Sequence, residues 1–449
     1  MTPLWNKLAE NSYVLQDVDV WTTAGVQRSC DLEIREGFLV SIRPAAAKSA
    51  RLYRWAVLPS GVDTQVHMRT PGQWEKETPE AALRAALAGG VGAVLTMPNT
   101  RPILDNIEAL ALGRSQVARA EDLTGVRVLW SVAATLGQQG ERVAPLEDLV
   151  KAGAVAVTDD GKGIAKDEVQ REVFERLAQL GVPFLQHAET LGAAGPLAPG
   201  PVAKRLGLTP YDESHEIDMV ARDLALLREL KVKNLAVAED GKLQQVRYHL
   251  LHTSSARSIP LILQAKADGL RVTAEVSPHH LFFSSDDIDE TNKSFKMNPP
   301  LRSPEDRLAL RAALAKGEID WVATDHAPHE AETKAKPFAQ ASFGTLGLET
   351  MLPVLLDLCA KGELTEARVV EVFAARPAEF LGIDEEFGDL KVGKKFRATV
   401  VAPREPWTVR ALAHQSLSKN TCFDGTRLTG RVLATATESG LFVAPKVST

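Results

Sequence analysis

The sequence predicts an α/β fold in which a (β/α)₈ TIM-type barrel is joined by a small discontinuous β-sandwich domain built from both chain ends. Three observations predict it: short apolar runs recur through the middle of the chain, a helix-like segment follows each run, and both ends carry strand-like patterns. The run-and-segment pairs number eight, as in a closed parallel barrel. A doubly wound sheet usually has fewer strands, and the glycine signature of a nucleotide-binding turn is absent after the first run.

Each apolar run has the length and composition of a buried strand. The runs span residues 56–68, 91–97, 126–132, 153–159, 182–187, 246–252, 271–276 and 319–325. Helical periodicity follows them, and the stretches 77–90, 167–181 and 305–317 each close on the glycine that suits a helix end. The alternation therefore predicts the strands and helices of the barrel in chain order.

The two ends of the chain have a different pattern. Residues 13–55 contain YVLQDVDVW and CDLEIREGFLVSI, and residues 395–449 contain KFRATVVA, GRVLATAT and SGLFVA, with little helical periodicity. Neither end has enough strands for a sheet with its own core, so we expect the two to pair as one β domain. The predicted boundaries are residues 1–55 and 381–449 for this domain and 56–380 for the barrel.

Composition limits the classes of partner. The formal net charge is −6, which gives no electrostatic basis for binding nucleic acid or an anionic membrane. No window approaches the ~20 apolar residues of a membrane span, and the N-terminus lacks the pattern of a signal peptide, so a cytoplasmic location is expected. Three widely spaced cysteines argue against a disulfide framework and against a thiolate zinc cluster. A metal would therefore need histidine and carboxylate ligands.

Polar side chains gather where the predicted strands end, which is the active-site face of such a barrel. They are His67, Asn99, Asp159, Asp160, His187, His252 and Asp325. A single histidine at a strand end is more often a structural residue, but three histidines with aspartates at separate strand ends favour a metal site such as one for zinc. His249 is out of phase with its strand and is interpreted as structural, whereas His215 and His414 lack a site context.

Local motifs extend this interpretation. In order along the chain, they are DTQVHMRTPG, TMPNT, AVTDDGKG, QHAE, LLHTSS, SPHHL, KMNPPLR, TDHAPH and FGTLGLET. Their order and spacing strongly resemble the dihydroorotases of the amidohydrolase superfamily, specifically the longer bacterial type with an aspartate metal ligand. The resemblance runs from about residue 13 to the C-terminus. It implies a barrel with a composite β domain and the reversible, zinc-dependent closure of N-carbamoyl-L-aspartate to L-dihydroorotate in pyrimidine synthesis.

The resemblance also implies roles for individual residues. The metal ligands would be His67, Asp160, His187, His252 and Asp325, with Asp325 also acting as the catalytic proton carrier. The substrate-binding residues would be Arg69 and Asn99 for the substrate carboxylate, with Asn298, His329, Phe343 and Gly344 around the ring amides. Asp160 is preferred to Asp159 because its spacing to His187 resembles that of the family. The long segment 326–345 would close over the ring as a lid, and the segment 189–213 is a second loop of unusual length.

Gln65 departs from the family pattern, which has histidine at this position, two residues before His67. Side chains alternate along a strand, so Gln65, His67 and Arg69 share a face. An amide oxygen is a poor ligand for zinc, so the metal position that depends on the first strand should be weakened most. We therefore expect one zinc, or a pair with one weak partner.

Two alternatives remain open at this stage. Because Gln65 replaces a metal-ligand histidine, the chain also resembles the inactive dihydroorotase-like subunits that support aspartate transcarbamoylase. Another cyclic amidase, of the allantoinase or hydantoinase type, is disfavoured because such enzymes use a carboxylated lysine, whereas AVTDDG offers aspartate and Lys151 and Lys162 lie elsewhere. A homodimer is common in the family, and a transcarbamoylase complex is conceivable.

Overall fold

The computed structural model describes residues 6–7, 11–190, 195–237 and 245–445. Five strands come before the barrel: β1 (Asn6–Lys7), β2 (Tyr13–Thr22), β3 (Gly25–Arg35), β4 (Phe38–Pro44) and β5 (Ala56–Pro59). The barrel strands are β6 (Gly61–Val66), β7 (Val91–Thr96), β8 (Arg127–Val132), β9 (Ala156–Val157), β10 (Phe184–Gln186), β11 (Arg247–Leu250), β12 (Arg271–Val276) and β13 (Trp321–Val322). They are followed by β14 (Ala398–Thr408), β15 (Arg427–Thr437) and β16 (Gly440–Val443).

The helices lie mainly between the barrel strands. They are α1 (Pro79–Ala88), α2 (Ile107–Thr124), α3 (Leu146–Lys151), α4 (Asp167–Leu180), α5 (Pro201–Arg205), α6 (Ser214–Val237), α7 (Ser258–Ala267), α8 (Pro278–Phe282), α9 (Pro304–Lys316), α10 (Ala331–Lys334), α11 (Met351–Ala360), α12 (Glu366–Val370) and α13 (Arg376–Leu381). A π-helical turn, Glu371–Ala375, joins the last two. No helix within the described ranges has the length and apolar character needed to cross a membrane.

The predicted barrel is confirmed. Strands β6 to β13 are hydrogen-bonded in chain order and every pair is parallel. A parallel bridge between Val66 and His326 brings the first strand to the end of the last, so the sheet is nearly closed. Each predicted apolar run contains its strand, because uniformly apolar segments are what a sheet covered on both faces requires.

Local sequence explains where the predicted helices begin and end. Helix α9 begins with a capping box, in which Ser303 and Asp306 bond each other's backbone N–H groups, and it ends at Gly317 in the left-handed conformation. Helix α1 begins at Thr78, whose side chain accepts from the N–H of Ala81, with Pro79 in the first turn. Helices α1, α4 and α9 begin and end within two residues of the predicted stretches 77–90, 167–181 and 305–317.

The second sheet combines both chain ends, as predicted. Its strand order is β1-β16-β15-β14-β5-β2-β3-β4, so the C-terminal strands lie on one side of β5, with β1 at their outer edge, and β2 to β4 lie on its other side. The single predicted run 56–68 is corrected here, since Ala56–Pro59 pairs with β14 and β2 in this sheet and only Gly61–Val66 enters the barrel. Gly61 is required between them, because a Cβ there would lie 2.3 Å from the Phe373 ring.

His249 lies in the barrel interior. Its Nε2 is 3.0 Å from Glu275 Oε2, and its ring stacks on Trp321 at 4.4 Å between centroids. The indole Nε1 of Trp321 donates to the same carboxylate oxygen at 3.0 Å. These contacts place His249 in the core and not in the site described next, and Glu275 Oε1 is left without a hydrogen-bond partner among the described residues.

Candidate active site

A cavity of about 400 Å³ opens at the carboxyl ends of the barrel strands. The sequence-predicted site residues all line it: His67, Arg69, Asn99, Asp160, His187, His252, Asn298, Asp325, His329, Phe343 and Gly344. Gly161, Ala327 and Ser342 complete the lining. The strand ends therefore bring together side chains that are up to 277 residues apart in sequence, from 67 to 344.

Three of these residues have the arrangement of a metal site. The candidate ligand atoms of Asp160, His187 and His252 all lie within 4.8 Å of one another, and all three residues are buried. His187 Nδ1 is 3.4 Å from Asp160 Oδ1 and 2.9 Å from His252 Nε2. Two imidazoles and one carboxylate suit zinc with an open fourth position. The donor set therefore fits a single divalent metal.

His67 and Asp325 lie on the other side of the Asp160 carboxylate. His67 Nε2 is 3.3 Å from Asp160 Oδ2 and 3.1 Å from Asp325 Oδ1. The other ring nitrogen, Nδ1, lies 2.9 Å from Asn99 Oδ1. Asp160 thus directs one oxygen towards His187 and His252 and the other towards His67, so the five predicted ligands form one continuous cluster.

Electrostatics within the cluster favour a cation. Burial would raise the pKa of Asp160, but hydrogen bonds from His187 and His252 outweigh it and hold the pKa well below its usual range. Burial would lower the pKa of His187, yet contacts with Asp160 and Glu189 raise it to about 10. A proton on the His187 ring therefore balances the charge of the Asp160 carboxylate in the metal-free chain, and a bound metal would displace that proton.

Asp159, the neighbour of Asp160, faces away from the cavity. Its Oδ1 accepts from the backbone N–H of Ala134 at 2.8 Å and of Thr135 at 3.2 Å, and Oδ2 accepts from the Thr135 hydroxyl. Burial raises its pKa to about 6 despite these bonds. Asp159 anchors the turn after β8, and Asp160 alone of the pair lines the cavity.

Gln65 contacts the cluster through Asp160. Its Nε2 donates to Asp160 Oδ1 at 3.3 Å. Its Oε1 is buried and has no hydrogen-bond partner among the described residues. The amide nitrogen therefore occupies one acceptor direction of Asp160, and the amide oxygen is left unsatisfied beside the candidate metal position.

A buried cation provides an anion-binding group. Arg69 is 7% exposed, and none of the described carboxylates lies within ion-pair distance of it. Its Nε donates to Pro328 O at 3.2 Å, and Nη2 donates to His329 Nε2 at 3.1 Å. Burial lowers the pKa of Arg69 to about 10, which leaves it charged at neutral pH. A buried guanidinium with no carboxylate in direct ion-pair contact favours a carboxylate ligand.

His329 is neutral beside this guanidinium. Burial and the charge of Arg69 lower its pKa to about 2, so its ring accepts from Arg69 through Nε2. The Nδ1 atom is buried without a partner among the described residues. Since Nε2 is the acceptor, Nδ1 carries the proton.

Backbone strain coincides with the site. Arg69, His252 and Asp325 have φ values of +61°, +31° and +48°, in the left-handed region that side chains other than glycine rarely adopt. Such strain persists where the surrounding structure fixes it and clusters at functional sites. Gly344 has φ +126°, and a Cβ there would lie 2.6 Å from Ala327 Cβ, so only glycine fits at this position of the wall.

Glu189 lies within the QHAE motif but is not among the site residues predicted from the sequence. Its Oε2 is 2.9 Å from His187 Nε2 and accepts from Asn298 Nδ2 at 2.8 Å. A carboxylate on the second ring nitrogen fixes the orientation of a metal-binding histidine. Its position two residues after a predicted ligand was the only available signal, because the contact with Asn298 spans 109 residues.

Comparisons with known proteins agree with this geometry. Residues 56–433 match the Amidohydrolase family. The chain is similar to the dihydroorotase of Anaeromyxobacter dehalogenans (39% identity, 91% of this chain and 92% of the relative) and to that of Pelobacter propionicus (34%, 96% and 97%). Among solved structures, it resembles the L-hydantoinase of Arthrobacter aurescens with a TM-score of 0.79 at 23% identity, covering 95% of each chain. It also resembles a Thermus sp. D-hydantoinase with a TM-score of 0.77 at 19% identity, covering 96% of this chain and 97% of that one.

Proposed function

The chain belongs to the amidohydrolase family, and from this premise we propose that it is a zinc-dependent dihydroorotase. It would interconvert N-carbamoyl-L-aspartate and L-dihydroorotate. The observation that carries the proposal is the buried Arg69, with no described carboxylate in direct ion-pair contact, in the same cavity as Asp160, His187 and His252. A carboxylate-bearing cyclic amide matches this combination, and the curated relatives named above are dihydroorotases.

Substrate binding would use the other residues that line the cavity. Arg69 binds the substrate carboxylate, and Asn99 contributes its amide nitrogen because its oxygen faces His67 Nδ1. His329, Asn298 and the backbone at Gly344 contact the ring amides. Phe343, with 42% of its surface exposed, covers the ring. These contacts orient the scissile amide towards Asp160 and Asp325.

Zinc held by Asp160, His187 and His252 would polarise the amide carbonyl and activate the attacking water. Asp325 takes the proton of that water and gives it to the departing ring nitrogen, so the C–N bond breaks as the C–O bond forms. In cyclisation the ureido nitrogen attacks the carbon of the carboxyl group, Asp325 passes the proton of that nitrogen to the departing hydroxyl, and the C–O bond breaks to release water as the C–N bond forms. His67 holds Asp325 in place through the 3.1 Å contact.

The experiment is an assay of the purified chain in both directions. We expect turnover of dihydroorotate and carbamoyl aspartate, with hydantoin and allantoin hydrolysed at least tenfold more slowly because they offer Arg69 no carboxylate. Hydantoin turnover at the rate of dihydroorotate would instead assign the chain to the other cyclic amidases.

Gln65 favours a second candidate, an impaired subunit that supports aspartate transcarbamoylase. We propose that the chain retains turnover because Asp160, His187 and His252 are complete without Gln65. Replacing Gln65 with histidine should raise bound zinc from about one to about two per chain, because imidazole is a better zinc ligand than an amide. Metal analysis and turnover on the same sample check this expectation.

The two candidates give different results for this variant. Turnover in the wild type, increased together with zinc in Gln65→His, supports the enzyme with one weakened metal position. No turnover in either protein, with co-elution of the chain and aspartate transcarbamoylase on size exclusion, would support the subunit. An active wild type with unchanged zinc in the variant would contradict the role given to Gln65.

A further inference from the structure

Segment 326–345 forms one wall of the cavity through Ala327, His329, Ser342, Phe343 and Gly344. Asn420 holds its base, donating to Ala327 O at 2.9 Å and to Gly344 O at 3.2 Å. The remainder has little regular structure beyond α10 and a 3₁₀ turn at Phe338–Gln340. Other contacts must therefore fix its position.

Lys334, at the end of α10, provides them. Its side chain is buried, and Nζ donates to Lys293 O at 3.0 Å, Lys296 O at 3.3 Å and Ser342 O at 2.7 Å. An ammonium has three N–H donors, so every donor has a carbonyl acceptor. The carbonyls come from two separate segments of the chain, which the lysine joins.

Burying Lys334 at this position is unfavourable for the stability of the fold. Burial lowers the pKa of Lys334 to about 7, and none of the described carboxylates forms an ion pair with it. A buried charge without a counter-ion is destabilising compared with an apolar side chain of similar size. Stability alone therefore does not explain a lysine here, whereas a requirement to join these two segments does.

Both joined segments contribute to the cavity. Lys293 and Lys296 lead into Asn298, and Ser342 comes directly before Phe343 and Gly344. The backbone N–H of Gly344 donates to Lys296 O at 2.8 Å, the same carbonyl that Lys334 contacts. Lys296 Nζ donates to Ala339 O at 2.8 Å and lies 4.2 Å from the centre of the Phe343 ring. Lys334 thus joins the two walls alongside these direct contacts between them.

We infer that Lys334 is a positioning residue, which fixes residues 342–344 against 293–298 so that Asn298, Phe343 and Gly344 meet one substrate ring. The segment predicted as a closing lid is on this account a fixed wall. The inference rests on the proposed function only for the identity of the substrate, because the joining of the two segments is a property of the free protein.

The test replaces Lys334 with methionine, which fills a similar volume without a donor. The matched control is Lys336→Met, because Lys336 is exposed two residues further along the same segment. We expect hydrogen exchange at 338–344 to speed up at least tenfold in Lys334→Met, with exchange in β7 unchanged. We expect kcat/KM for dihydroorotate to fall roughly 10- to 100-fold, mostly through KM, with zinc content unchanged. Lys334→Gln, which keeps two donors, should give intermediate values.

The inference would be overturned if hydrogen exchange at 338–344 were as slow in Lys334→Met as in the wild type. Equal losses of kcat/KM in Lys334→Met and Lys336→Met would also overturn it. Faster hydrogen exchange in β7 of Lys334→Met would also overturn it, since Lys334 would then support the fold as a whole. If the wild type does not turn over dihydroorotate, the proposed function fails, and the exchange at 338–344 by itself decides the role of Lys334.

Discussion

Replacing Asp325 with asparagine is expected to lower kcat about 10²- to 10⁴-fold, the usual contribution of a positioned proton carrier. Asparagine has the shape of aspartate but cannot take the proton of the attacking water. Asp325 lies outside the triad of Asp160, His187 and His252, so we expect the metal to remain bound. Steady-state kinetics in both directions, with zinc measured on the same sample, check the result.

The control for this variant is its thermal unfolding temperature, which separates a local chemical loss from a damaged fold. A kcat within tenfold of the wild type would contradict the role of Asp325 as proton carrier. Loss of zinc in proportion to the loss of turnover would show instead that Asp325 acts chiefly as a ligand.

Replacing Asp160 with asparagine is expected to abolish zinc binding and turnover together. Asp160 is the carboxylate of the triad, and its oxygens approach His187 at 3.4 Å and His67 at 3.3 Å. An amide removes the negative charge on which the cation depends. Zinc per chain after dialysis, measured against a competing chelator, tests the expectation.

Asp159→Asn is the matched control, one residue away. Its oxygen can still accept the backbone N–H groups of Ala134 and Thr135, so zinc binding and turnover should be retained. Retained zinc in Asp160→Asn would contradict the role of Asp160 as a ligand. If Asp159→Asn loses zinc at the same time, the assignment of the two aspartates is reversed.

The grouping of the residues at the strand ends could be predicted because the carboxyl ends of all strands in a parallel barrel lie on one face. Once the runs were counted, His67, His187, His252 and Asp325 had to lie on the same face. The division of run 56–68 could not be predicted from its pattern, because both halves are apolar and β5 and β6 differ only in their partners. Pairing with strands at the far end of the chain leaves no local signal.

Lys334 and Glu189 illustrate a second limit. The three acceptors of Lys334 are backbone carbonyls, which any residue carries, so its partners have no signature in the sequence. Glu189 is recognisable only once Asn298 is placed beside it. Residue types at strand ends indicate the chemistry of the site, whereas the contacts that orient those residues depend on tertiary structure.

The measurement that tests the central claim most directly is a zinc titration of the chelator-treated chain, with dihydroorotate hydrolysis followed at each addition. We predict that chelation abolishes turnover and that activity returns linearly up to about one zinc per chain, as a triad with an open position requires. Undiminished turnover after complete removal of the metal, or zinc that binds at one equivalent without restoring turnover, would contradict the account.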